Sequence, residues 1–163
     1  MTFEKASQAD IGALAALRLA YLEEDFGGIP ESKKAGIADR LPAYFARHLN
    51  RDLFVFVCRD AGEAVGCCFL LVTEKPASPA FPPGRTGTAL NVYTKPAYRR
   101  QGIAARLMEM LLREAEALAL DYVELKATDA GHRLYRSLGF MDVSEKYHPM
   151  KYDPNAPNDA GLH

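Results

Sequence analysis

The residues best suited to chemistry fall in one short stretch, Thr94, Lys95, Pro96, Ala97, Tyr98, Arg99, Arg100, Gln101, Gly102, Ile103, Ala104 and Ala105. Apolar spacing predicts a strand before it and a long helix after it. The first turn of a helix carries backbone N–H groups without partners in the helix, and the positive end of the macrodipole, so it attracts anions. Gly102, Ala104 and Ala105 are small enough to let a phosphate approach that backbone closely. Over residues 94–113 the bases Lys95, Arg99, Arg100, Arg106 and Arg113 meet a single acid, Glu109, in a chain whose net charge is −1. That local excess suits a pyrophosphate. A glycine at a helix start also serves tight packing of helix on strand, and the turn alone does not decide between the two. A second stretch, Leu134, Tyr135, Gly139 and Phe140, places a phenol on a short helix. A phenol with an ordinary pKa of about 10 is protonated at neutral pH and can act as an acid. The same pattern also describes a half-buried ring ahead of a glycine cap.

The elements that must position these residues are legible from periodicity. Ile11, Leu14, Ala15, Leu19 and Leu22 share one helix face, with Asp10 placed to cap it and Gly27 and Gly28 to end it. Residues 32–49 repeat Ile37, Leu41, Phe45 and Leu49 every fourth position, and Pro42 predicts a split into two short helices. Residues 53–59 and 64–75, rich in Phe, Val and Leu, flank the turn Asp60, Ala61, Gly62, Glu63 and predict an antiparallel hairpin. Prolines and glycines over 76–87 break the pattern, and a strand follows over 88–95. A long amphipathic helix is expected over 102–120, a strand over 122–127, a short helix over 130–138 and a last strand over 141–152, interrupted at Pro149. This order describes an α/β or α+β domain, residues 1–152, around a mixed sheet, with a tail over 153–163.

Composition excludes several classes of function. At 163 residues, 48% hydrophobic and 25% charged, the chain is one globular domain with no apolar run long enough to span a bilayer. No basic dispersion suited to nucleic acid and no membrane partner is expected. Cys58, Cys67 and Cys68 make neither a disulfide framework nor a metal quartet, which points to free thiols in a reducing cytoplasm. His48, His132, His148 and His163 lack ligand spacing, so no metal is expected.

Taken together, Arg99, Gly102 and Ala104 opening a long helix, and Leu134, Tyr135, Gly139 and Phe140 about thirty residues on, resemble the GCN5-related N-acetyltransferase (GNAT) family. The resemblance extends over the order of elements from Thr2 to about Tyr152. It departs from the family at Thr128 and Gly131, where Asn and Ala are frequent.

The resemblance implies the GNAT fold, in which two strands splay apart to hold acetyl-CoA, and transfer of its acetyl group to a primary amine by direct attack. Pyrophosphate would lie on the N–H groups of Gln101, Gly102, Ile103, Ala104 and Ala105, helped by Arg99 and Arg100. Pantetheine would run along Val92, Tyr93 and Thr94, with an N–H near Val92 or Tyr93 stabilising the oxyanion and Thr128 offering a hydroxyl. Tyr135 would protonate the leaving thiolate. The base is drawn from Glu124, Glu23, Glu24, Asp25 or a water chain, with Glu124 preferred because a strand carries it toward the sheet centre. Asn91, Glu24 and Tyr44 would contact the acceptor, a small molecule or a peptide amine. The alternative is a non-catalytic module that binds acyl-CoA for regulation. A homodimer is a further expectation, because sheet edges need covering.

Overall fold

The structure is a computed structural model that describes residues 1–157. The end of the expected tail, with His163, lies outside the described residues. Five strands form one sheet in the order β1-β2-β3-β4-β5: β1 (Thr2–Lys5), β2 (Leu53–Asp60), β3 (Glu63–Glu74), β4 (Arg85–Thr94) and β5 (Val123–Glu124). Neighbours pair antiparallel except β4 with β5, which are parallel and joined through a helix. The helices are α1 (Ile11–Asp25), α2 (Glu31–His48), α3 (Ile103–Ala117) and α4 (Asp129–Ser137).

Strand β2 explains why the sheet is a central layer. Its alternate side chains Phe54, Phe56 and Cys58 pack with Ile103, Leu107, Met108 and Leu111 of α3. Those between them, Leu53, Val55 and Val57, pack with Leu14, Leu17 and Phe45 of α1 and α2. A strand covered on both faces needs no polar alternation, and hence reads as an unbroken apolar run. Burial of each such side chain contributes about 1.5–3 kcal/mol. Gly87 fits a tight place in the sheet, since a Cβ there would lie 2.7 Å from Leu70 Cδ1 and 2.9 Å from Leu120 Cδ1.

Five expectations need correction. Thr2–Lys5 is a strand, β1, where the sequence marked no element, because its one inward residue, Phe3, supplies too little pattern to read. Helix α2 is continuous through Pro42. That proline is exposed, so water can satisfy the carbonyl whose partner it lacks, while Phe45 and Leu49 are buried and hold the helix to the sheet. Strand β5 spans only Val123–Glu124, and residues 141–152 form no strand. Met141, Val143, Tyr147, Met150 and Tyr152 are all exposed. An apolar pattern becomes a strand only where an edge pairs with it, and a two-residue β5 provides little edge.

The fifth correction concerns Asp10. It does not cap α1 with its side chain but closes a capping box from the third position: the Ser7 N–H donates to Asp10 Oδ2 at 2.8 Å. Arg59 clamps the same carboxylate and Glu4, which ties β1 and β2 to the start of α1. Burial pushes the Asp10 pKa up, but the Ser7 N–H and Arg59 outweigh it and hold the group below its ordinary 3.8. Its stabilisation is therefore fully present above that value and is lost as pH falls through the lower folded one. Asp10→Asn should lower unfolding free energy by about 1–2 kcal/mol at neutral pH. Urea titrations at pH 7 and near pH 3 should show the gap between variant and native protein narrowing in acid.

Candidate active site

Strand β4 carries the geometry that matters. Its pairing with β3 runs regularly from Glu74↔Arg85 to Phe69↔Leu90 and resumes at Cys67↔Tyr93. Between these points β4 has one residue more than β3, a bulge in which Asn91 adopts φ 52°. Asparagine tolerates this left-handed conformation better than most residues. Its side chain is 2% exposed; it accepts from Arg18 Nη1 at 3.0 Å and donates to Cys67 Sγ at 3.4 Å. Asn91 is thus engaged at both ends of its amide within the protein.

On the other side, β4 pairs with β5 only at Gly87↔Val123 and Thr88↔Glu124. Beyond Thr88, β4 continues to Thr94 with no β5 partner, so the two strands part at this rung. Val92, Tyr93 and Thr94 all lie on the unpaired length. Glu124 stands at the fork on the edge strand β5, exposed to solvent, and not toward the sheet centre where it was expected.

A 3-10 turn at Pro96–Tyr98 leads from β4 into α3. Arg100 and Gly102 take φ 65° and 77°, and α3 begins with its first backbone bond, Arg106 N–H to the Gly102 carbonyl. None of the N–H groups over residues 100–105 finds an acceptor among the described residues. A Cβ on Gly102 would meet no atom within 4 Å, so the space over the turn is open. Gln101, Gly102, Ile103, Ala104 and Ala105 together form a row of backbone donors at a helix N-terminus. Arg100 is exposed and makes no ion pair among the described residues. Arg99 is differently employed: its guanidinium reaches Glu24 at 2.6 Å and the Thr94 carbonyl at 2.9 Å, and sits 5.8 Å from the Tyr93 ring centroid. Two residues expected on opposite substrates, Arg99 and Glu24, instead join the end of α1 to the end of β4.

Tyr135 lies on α4, half-buried against the α3 side of the core, with its ring edge-on to Phe140 at 6.0 Å. Burial pushes its phenol pKa above the ordinary 10, and the nearby Cys68 thiol and Tyr21 phenol add to the rise. Gly131 has a steric reason here, since a Cβ would lie 2.9 Å from Tyr135 Cε2. The alanine frequent in the family would displace this ring. Thr128 caps α4 by accepting the Gly131 N–H at 3.1 Å, which leaves its hydroxyl proton available to donate. Tyr135 and Glu124 both line a cleft of ≈ 910 Å³ bounded by α3, β5 and α4. Tyr44, on α2, lies against His48 with ring centroids 4.6 Å apart and tilted, and does not line this cleft.

Two residues beside the bulge were not singled out from the sequence. Tyr21 meets Tyr93 edge-on at 6.4 Å. Arg18 is the sole charged residue in the otherwise apolar run from Ile11 to Leu22, and that isolation was the available signal. The buried cysteines are packing residues: burial pushes Cys67 up to about 12 and Cys68 well above the usual thiol range, so neither is a thiolate at neutral pH.

The splayed β4 and β5, the bulge and the bare helix start describe an acyl-CoA-binding acetyltransferase fold, and comparison with known proteins agrees. The family model for the acetyltransferase (GNAT) domain matches residues 51–142, and the chain belongs to that family. Among solved structures, the chain is similar to a predicted acetyltransferase with acetyl-CoA from Clostridium acetobutylicum: 26% identity, 92% of this chain, 95% of that one, TM-score 0.80. It is also similar to a GCN5-related N-acetyltransferase from Ralstonia eutropha JMP134, at 24% identity, 91% and 97% coverage and TM-score 0.76. No curated protein sequence matches the chain.

Proposed function

We propose that this protein transfers the acetyl group of acetyl-CoA to a primary amine by direct attack in a ternary complex. The observation that carries the reading is the run of unpartnered N–H groups over residues 100–105, at the end of a strand whose parallel partner has left it. The donors of Gln101, Gly102, Ile103, Ala104 and Ala105, with Arg100 beside them, suit a pyrophosphate. The free length of β4 offers main-chain groups at Val92, Tyr93 and Thr94 for the amides of pantetheine, as a sheet edge receives an added strand. The similar structure from Clostridium acetobutylicum, which holds acetyl-CoA, supports the choice of donor.

Chemistry follows from that placement. A backbone N–H near Val92 or Tyr93 polarises the thioester carbonyl and stabilises the tetrahedral oxyanion, an effect worth about 3 kcal/mol. The amine attacks once neutral, the C–S bond breaks, and Tyr135 gives its phenolic proton to the departing thiolate sulfur. Glu124 at the fork removes the amine proton, directly or through water. Arg99 and Glu24 hold α1 against β4, and through α1 they set one wall of the acceptor site.

Isothermal titration with acetyl-CoA, followed by an amine panel read by thiol release, tests the scheme. Binding and release are expected. Binding without release for every amine would favour the non-catalytic module, and no binding by folded protein would remove the donor site altogether.

A further inference from the structure

Arg18 has no role in the scheme above, yet the fold brings it from the middle of α1 to the bulge in β4. One Nη1 N–H donates to the buried Asn91 at 3.0 Å, and its guanidinium lies 5.7 Å from the Tyr21 ring centroid. These contacts with Asn91 of β4 and Tyr21 of α1 place it between α1 and the sheet. Among the described residues no carboxylate lies within ion-pair distance of it, although carboxylates abound on α1. Of the three on that helix, Glu23 pairs with Lys34 and Glu24 with Arg99, while Asp25 makes no ion pair among the described residues and acts on Tyr21 from the opposite sign to Arg18. A half-buried guanidinium held by one neutral acceptor keeps most of its N–H donors unused by protein groups and so available to an anion from outside.

The anion must also fit the reaction. Asn91 is the residue at which β4 leaves regular pairing, one position before Val92, so Arg18 stands beside the place assigned to the reacting thioester. Tyr21, which meets Tyr93 edge-on and whose pKa is raised chiefly by burial, remains a neutral hydrogen-bonding wall there. We infer that Arg18 is a specificity-determining residue and that the acceptor is an amine bearing an anionic group, a carboxylate or a phosphate, which pairs with the Arg18 guanidinium. This rests on the acetyltransferase reading and narrows its acceptor class. Arginine suits the task because its planar fork can keep Asn91 on one N–H while offering parallel donors to two oxygens of an anion.

The test is kinetic and uses matched acceptors: phenylalanine against phenethylamine, and aminoethylphosphonate against ethylamine, with the native protein and with Arg18→Gln and Arg18→Lys. The native enzyme should favour the anionic member of at least one pair in kcat/KM by about 10- to 100-fold. Arg18→Gln should abolish that preference with the KM for acetyl-CoA unchanged, and Arg18→Lys should restore part of it. A merely structural arginine would lower both members of a pair alike, and that result, or a native enzyme without preference for the anion, overturns the inference. Titration with acetyl-CoA in parallel separates the two levels, because loss of donor binding strikes the acetyltransferase reading, whereas intact donor binding without anion preference strikes Arg18 alone.

Discussion

Tyr135→Phe should lower kcat about 100-fold or more while the Kd for acetyl-CoA stays where it was. The ring is retained, so the edge-on contact with Phe140 and the fit over Gly131 survive, and only the hydroxyl is removed. Expulsion of a thiolate without a proton donor leaves negative charge on sulfur in a half-buried place, and the barrier rises accordingly. The pH dependence gives a second readout. Burial, then Cys68 and Tyr21, raise the Tyr135 pKa, so the acid form persists beyond the ordinary 10, and the alkaline fall of kcat belonging to this group lies above that value. Native protein should hold its kcat up to that limb, and the phenylalanine variant should lack the limb. Full turnover across pH in the variant would remove Tyr135 from the acid role.

The second large effect is expected at Gly102. Its φ of 77° is left-handed, and an added Cβ meets no protein atom within 4 Å. Gly102→Ala therefore disturbs the fold only through backbone strain, about 1–2 kcal/mol. Yet the added methyl enters the space over the open N–H groups, which is where a phosphate must come. The Kd for acetyl-CoA should rise about 10- to 100-fold, and Arg100→Gln should weaken binding more modestly through loss of a charge-assisted contact. S-acetylpantetheine, which has no pyrophosphate, is the control, and its binding should be indifferent to both changes. Unaltered acetyl-CoA affinity in a folded Gly102→Ala protein would take the pyrophosphate away from this turn.

Both residues were singled out from the sequence, Gly102 by a local signal and Tyr135 only by the resemblance that its motif and that turn carry together. A strand followed by a basic turn, a glycine and a long amphipathic stripe specifies a helix N-terminus without reference to the rest of the chain. The turn Asp60, Ala61, Gly62, Glu63 joined two strands in the same way, and Ala61 and Gly62 do take positive φ there. Four-residue spacing carried α2, and only the proline misled, because the sequence does not reveal that Pro42 faces solvent while its neighbours are anchored.

What the sequence by itself determined is therefore the mixed sheet, the strand β4 and the helix α3 that follows it, the helix start at Gly102 and the place of Tyr135 on a short helix, all fixed by spacing within one element or between adjacent ones. The tertiary structure alone decided which β4 residue becomes the bulge, that β5 leaves β4 after Thr88, that residues 141–152 have no strand to pair with, and that Arg99 meets Glu24 while Arg18 meets Asn91. Each of those outcomes depends on partners far away in the chain. A side chain's type fixes what it can bond, but only packing fixes which partner comes within reach.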